Sequence, residues 1–327
     1  MPSQTKPLNK LLYVGMHYDY GRKAQGPSFE YTNFFPVLKK MVPEVVEFDF
    51  FTIMQDLGQE AMNAQLLETA DRVQPDLIFF ILFTEELFIN GLTQLSDKFT
   101  TFNWFCDDHW RFEYFSKRYA PCFSYISTTD REAIEKYDRI GYKNALMTQW
   151  GCNHFDYVKL SNAKKDIDVS FIGQAHGSRK FIIKYLHLNG IDVRTFGQGW
   201  ENGRVSQPQM IEIFNRSKIN LNLSNASWNI HTIFRKKDQI KGRNFEVPAC
   251  GAFLLTNYVK NLEHYFDLEY EMVCFQSKRD MVRKIRYYLE HETERERIGE
   301  KAYLRTLKEH TYEQRFREIF RNMGFEV

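Results

Sequence analysis

The sequence predicts an α/β protein of two Rossmann-like, doubly wound parallel-sheet domains facing each other across a central cleft. Three observations lead there. At 327 residues the chain exceeds what one core ordinarily covers, and chains of this size divide into domains of roughly 150 residues. The first half alternates short, nearly continuous apolar runs with helical patterns, the mark of parallel strands covered on both faces. After a polar stretch, "NHFDYVKLSNAKKDID", the same alternation starts again.

Taken in order, the first-half strands are "LLYVGM" (11–16), "EVVEFDFF" (44–51), "DLIFFILF" (76–83), "TFNWFC" (101–106), "CFSYIST" (122–128) and "ALMTQW" (145–150). Helices are expected near 28–41, 57–74, 85–97 and 129–139. In the second half the strands are "VSFIGQ" (169–174), "DVRTFG" (192–197), "KINLNLS" (218–224), "GAFLLTN" (251–257) and "EMVCFQ" (271–276). Helices are expected near 178–189, 207–216, 243–249 and 278–291, with Ser178 as N-cap and Gly190 just past the end of the first. The closing run "ERERIGEKAYLRTLKEHTYEQRFREIF" is charged and helical. The expected division is therefore 1–160, 161–305, and a terminal helix over 306–327 that crosses back toward the first domain.

Composition narrows the function classes. Lys plus Arg number 44 against 42 Asp plus Glu, and a net charge of +2 lacks the broad positive field of duplex-binding proteins, so nucleic acid is not an expected partner. No apolar run reaches the ~18 to 20 residues of a membrane span and the N-terminus has no apolar leader, so no transmembrane segment and a cytoplasmic location are expected. The five cysteines contain no CxxC pair, which fits reduced buried thiols better than a metal cluster. Aromatics make up 16% of the chain, and thick sheet cores are their expected use.

Open parallel sheets bind ligands beyond the carboxyl ends of their strands, at a topological switch point. The motifs decide what kind of ligand. No G-x-G-x-x-G follows the first strand, where "YVGMHYDYGRKAQG" stands, and no P-loop, H-E-x-x-H or G-x-S-x-G occurs. In "FIGQAHGSRKFIIKYL", Gly173 ends a strand and Arg179 begins a helix, where free N–H groups attract anions; the alternative is a simple tight turn. The run "FRKKDQIKGR" supplies Arg235, Lys236, Lys237, Lys241 and Arg243. Such a run is commonly a solvated face, but cations before a helix start oppose its dipole and suit a diphosphate. Glu246, in "FEVPACG", can accept both hydroxyls of a ribose, or it can cap locally or pair with Arg243. Asp238, eight residues upstream, can face the same cleft.

The stretch "GRNFEVPACGAFLLTN", with "LEHYF" and "HTYEQRF" after it, resembles the CgeB/YkvP-like glycosyltransferases of bacteria, whose plan is GT-B. The resemblance covers most of residues 168–320; "NWFCDDHW" and "YISTTDREAIEKY" extend it less sharply into the first half. It implies metal-independent transfer of a sugar from a nucleoside-diphosphate sugar, with no cofactor besides that donor. It also implies that two acids separated by seven residues bracket the donor: Glu246 at the ribose and Asp238 at the sugar, where relatives carry Glu. Arg179, Lys241 and Arg243 would neutralise the diphosphate, with Gly173 at the turn beneath it.

The first domain is expected to hold the acceptor, whether glycan, protein or small molecule. An inverting transfer needs a general base beside the acceptor hydroxyl, and His17, Asp19 and Asp107, in loops after two strands, are the candidates. Two other functions fit the same plan: a nucleotide-sugar epimerase or hydrolase, and a non-catalytic protein that binds nucleotide sugars or glycans.

Overall fold

The computed structural model describes residues 5–224 and 238–327. The chain divides into two compact units, residues 1–149 with 312–327, and residues 150–311. In the first unit, strands β1 (Lys10–Gly15), β2 (Glu44–Asp49), β3 (Leu77–Phe80), β4 (Thr101–Phe105), β5 (Tyr125–Thr128) and β6 (Ala145–Met147) form one sheet in the order β2-β1-β3-β4-β5-β6. Every pairing in it is parallel. In the second unit, β7 (Ile167–Ile172), β8 (Arg194–Phe196), β9 (Ser217–Asn222), β10 (Leu254–Asn257) and β11 (Val273–Phe275) pair in parallel in the order β11-β10-β9-β7-β8. The strand order reverses between β1 and β3 in one sheet and between β7 and β9 in the other. Each unit therefore has a switch point, and a crevice beyond its strand ends.

The α-helices of four or more residues are α1 (Phe29–Met41), α2 (Phe50–Leu57), α3 (Gln59–Val73), α4 (Ile89–Lys98), α5 (Asp108–Arg111), α6 (Arg131–Arg139), α7 (Arg179–Leu188), α8 (Gln207–Arg216), α9 (Arg243–Ala249), α10 (Lys278–Glu290), α11 (Glu292–Glu309) and α12 (Tyr312–Asn322). Their starts follow local chemistry. Ser28 caps α1, its hydroxyl accepting from Tyr31 N–H at 3.0 Å, and Ser206 forms a capping box with Gln209 at α8. Gly190, at φ +74°, ends α7 as expected, but Ser178 makes no side-chain cap at its start. Phe50 and Phe51, expected to continue a strand, instead open α2, because the Asp49 carboxylate accepts from Thr52 N–H at 3.3 Å and turns the chain into a helix.

The expected boundary at 160 moves to 149/150. Residues 150–160 are bonded into the second unit: Cys152 N–H donates to His310 C=O at 3.0 Å, and Leu160 N–H donates to Asn215 Oδ1 at 2.8 Å. The long terminal helix is two helices, broken at His310 and Thr311. His310 is buried, with Nε2 against Tyr265 C=O at 2.7 Å, so that residues up to 311 belong to the second unit. Only α12 belongs with the first unit, where Tyr312 and Phe316 pack on Phe34, at ring distances of 4.7 and 5.4 Å, and on Trp104. Phe79 joins the same cluster. All five rings are buried, so part of the chain's aromatic content fastens the last helix to the first core.

Candidate functional site

In the second unit the expected donor residues gather at the carboxyl ends of β7, β9 and β10. The turn after β7 is built by close backbone approach. Gly173 N–H donates to Phe196 C=O at 2.9 Å, and the Trp200 indole donates to Gly173 C=O at 2.7 Å. Gly197, at φ +126°, stands where an added Cβ would lie 2.4 Å from the Gly173 carbonyl oxygen. Only glycine fits there. Gly197→Ala is expected to cost at least about 2 kcal/mol, read from urea denaturation midpoints, because it combines a forbidden backbone angle with a backbone clash.

Arg179 is buried and bridges the switch point. It donates from Nη1 to Gln174 C=O at 3.0 Å and from Nη2 to Leu223 C=O, just beyond β9, at 2.8 Å. Burial and then the Arg243 charge push its guanidinium down to about 10. Lys241 is placed through a reciprocal pair with Asn244: its N–H donates to Asn244 Oδ1 and its carbonyl accepts from Asn244 N–H, both at 3.0 Å. Asn222, at the end of β9, donates to Asn244 Oδ1 at 3.3 Å and to Thr256 Oγ1 at 3.1 Å, which ties α9 to two strand ends. Asp238 is held on the exposed rim by Asn257 Nδ2 at 3.1 Å; Asn257 Oδ1 in turn accepts from Ser224 N–H at 2.7 Å. Arg235, Lys236 and Lys237 lie outside the described residues.

Glu246 is the surprise of this half. It is 0% exposed, and Arg243 Nη1 donates to its Oε2. The other oxygen, Oε1, is buried with no hydrogen-bond partner among the described residues. Tyr157 is packed against the pair, and burial followed by the Glu246 charge holds its phenol far above the ordinary range. The ion pair with Arg243, one of the two alternatives the sequence left open, is therefore what the structure holds.

In the first unit the expected base candidates split into two groups. His17, just past β1, donates its N–H to Asp49 Oδ1 at 3.2 Å, and its Nδ1 lies 2.7 Å from Glu47 Oε1. Its ring lies 3.9 Å from that of Tyr31, whose phenol is pushed up to about 12 by burial and then by Glu47. Glu47 thus fixes which nitrogen of His17 faces away from β2. Asp19 stands in the turn after β1, its N–H donating to Gly26 C=O at 3.0 Å, and Asp107 precedes α5, its carbonyl accepting from Trp110 and Arg111 N–H. Both carboxylates act on Glu30, a residue the sequence did not single out. Glu30 sits in the first turn of α1, and its only advance signal was an acid two residues after the Ser28 cap. Burial pushes its carboxyl up to about 7 against a lowering bond from its own backbone, and Asp19 and then Asp107 add to the rise.

Asp108, next to Asp107, is buried and accepts from the Tyr137 hydroxyl at 2.8 Å. Among the described residues no group of three or more His, Cys, Asp or Glu is placed to hold a metal ion. Among them, too, no helix is long and apolar enough to cross a membrane.

The raised Glu30 carboxyl gives a signed prediction. A carboxyl whose folded pKa exceeds its ordinary value penalises folding once ionised, so the penalty is absent below about pH 4.5 and complete above about 7. Glu30→Gln removes it. The variant is expected to match the parent at pH 4.5 and to exceed it at pH 8 by about 1 to 2 kcal/mol, a figure reduced from the full shift because Glu30 is only half-buried. Denaturation at the two pH values checks this; an equal gain at both would locate the effect elsewhere.

Comparison with known proteins bears on this geometry. Residues 179–321 match the family model described as glycosyl transferase-like. The spore protein CgeB of Bacillus subtilis (strain 168) is 22% identical over 209 residues, which are 58% of this chain and 64% of CgeB. Among solved structures, Anabaena HepE in complex with UDP-glucose superposes with a TM-score of 0.67 at 12% identity, covering 96% of this chain and 99% of HepE. This chain has the GT-B fold, and part of it is similar to CgeB. Sucrose-phosphate synthase from Thermosynechococcus elongatus has the same fold, with a TM-score of 0.63 at 10% identity over 97% of each chain. The matched stretch spans 64% of the length of CgeB, less than two-thirds of it, and the family match begins at Arg179, the residue that bridges the switch point.

Proposed function

We propose that this protein is a metal-independent glycosyltransferase that takes a sugar from a nucleoside-diphosphate sugar and delivers it to a hydroxyl-bearing acceptor. One observation carries the proposal: at the switch point of the second unit Arg179 bridges two strand ends and feels the charge of Arg243, which pairs with Glu246, while Lys241 is bonded to Asn244 of the same helix start and Asp238 is held at the end of β10. Three cations there match the charge that develops on a departing nucleoside diphosphate, which is the role a metal ion plays in other designs. The UDP-glucose held by HepE supports a uridine donor of that kind.

In this reading Arg243 leaves Glu246 for the diphosphate when donor binds. That uncovers a carboxylate whose Oε1 has no other partner among the described residues, and the ribose hydroxyls then donate to it. Asp238 meets the donor sugar. The acceptor hydroxyl gives up its proton to a base in the first unit, drawn from Asp107, Asp19, Glu30 and His17.

A thermal-shift screen against UDP, GDP, ADP, CDP and dTDP and their sugars, with and without magnesium, tests this. A shift with one nucleotide, unchanged by magnesium and accompanied by slow release of the nucleoside diphosphate from its sugar, is the expected result. Binding with no turnover toward any acceptor or water would leave a nucleotide-sugar-binding protein instead. No shift at all would end the nucleotide reading.

A further inference from the structure

The turn between β7 and α7 carries an imidazole that none of the roles above uses. His176 lies two residues before the helix cap, and its carbonyl accepts from Arg179 N–H at 3.2 Å. Its Nδ1 is buried without a hydrogen-bond partner among the described residues, and so is Arg179 Nε, on a side chain only 9% exposed. A buried polar nitrogen left unpaired is uncommon and calls for a partner. Two of them in adjacent side chains, both basic, call for the same kind of partner. The charged groups that act on the imidazole are Arg179 from α7 and Lys241 from the segment before α9, and both are cations. Arg243 adds to the crowding through Arg179.

We propose that His176 is a ligand of the anion bound between Arg179 and Lys241, and that it takes up one proton as that anion, the diphosphate of a nucleotide, arrives. The inference rests on the nucleotide reading for the identity of the ligand; the proton uptake needs only a diphosphate. In the free protein, burial and then the two cations push the imidazole down to about 4, so it is neutral at ordinary pH. A dianion within hydrogen-bond distance reverses the sign of the local field. The imidazolium becomes the favoured form, and both ring nitrogens become donors. The proton comes from solvent. In turnover, the same imidazolium stands where charge collects on the leaving diphosphate, and hydrogen bonding from it lowers the cost of that charge.

The test is calorimetric titration of the full-length protein with UDP, and separately with inorganic pyrophosphate, at pH 6 and pH 8.5, each in two buffers of different ionisation enthalpy. The parent is expected to take up more protons on binding at pH 6 than His176→Gln does. The substitution should weaken binding about tenfold at pH 6 and much less at pH 8.5. In parallel, the His176 ring resonance of the parent, followed by NMR through a pH titration, should move to a higher midpoint when pyrophosphate is present; this needs no variant to fold. Equal proton uptake in parent and variant, or an unmoved midpoint, overturns the role of His176. If pyrophosphate binds with the expected uptake and UDP does not bind, the proton-linked anion site stands and the nucleotide reading falls. If neither ligand binds, both fall.

Discussion

Glu246→Ala is expected to raise the dissociation constant for UDP by about tenfold to a hundredfold and to destabilise the second unit at the same time. The first effect is the loss of hydrogen bonds from ribose hydroxyls to a charged acceptor, worth roughly 1.5 to 3 kcal/mol. The second follows from the ion pair: with the carboxylate gone, Arg243, whose side chain is 24% exposed, keeps a largely buried charge without its partner. That costs about 2 to 4 kcal/mol, somewhat below the range for pairs wholly removed from water. The two effects separate by measurement. Affinity is read by calorimetry at a temperature where the variant is fully folded, and stability by urea denaturation without ligand. The double variant Arg243→Met, Glu246→Leu should recover much of the stability and none of the affinity. A folded Glu246→Ala protein that binds UDP as the parent does would remove Glu246 from the donor site and leave it a buried structural acid.

Asp107→Asn is expected to lower the turnover number by about a hundredfold to a thousandfold while leaving UDP affinity within about twofold. Asp107 holds the start of α5 through its backbone carbonyl, so the amide substitution leaves that bond in place. What it removes is a carboxylate beside Asp19 and Glu30 in the first unit. With the acceptor unknown, transfer to water gives the readout as release of UDP from UDP-sugar. Glu30→Gln is the informative companion, because a base that titrates near 7 is well matched to proton abstraction at neutral pH. Turnover that collapses in Glu30→Gln and persists in Asp107→Asn would move the base from the loop to α1. Normal turnover in both would dismiss the pair.

Much of the fold was legible because strand and helix signals are local. Leu77–Phe80 is an unbroken apolar run buried along its whole length, as a parallel strand covered on both faces is, and the alternation of such runs with helical patterns sets the class. The helix over Arg243–Ala249 was placed to the residue by its sequence context. Where the reading slipped, a side chain acting across a short distance had overruled propensity. Asp49 capped α2 and cut a strand short, and a buried His310 bonded to Tyr265 split the closing helix. Neither partner is visible to a window of periodicity.

The sequence by itself determined the two-domain α/β architecture, the family resemblance centred on 242–256, and the residue types that gather at the strand ends: Arg179, Lys241, Arg243, Asp238 and Glu246. Tertiary structure alone decided how those residues are used before a ligand arrives. It joined Arg243 to Glu246, left the Glu246 Oε1 and His176 Nδ1 without partners among the described residues, drew Glu30 into the company of Asp19 and Asp107, and gave His17 to Glu47. The physical reason is that charge interactions depend on separation and burial, which are set by strand order and by close approaches such as Gly197 on Gly173. Residues distant in sequence become neighbours only when the sheets order the loops at their carboxyl ends.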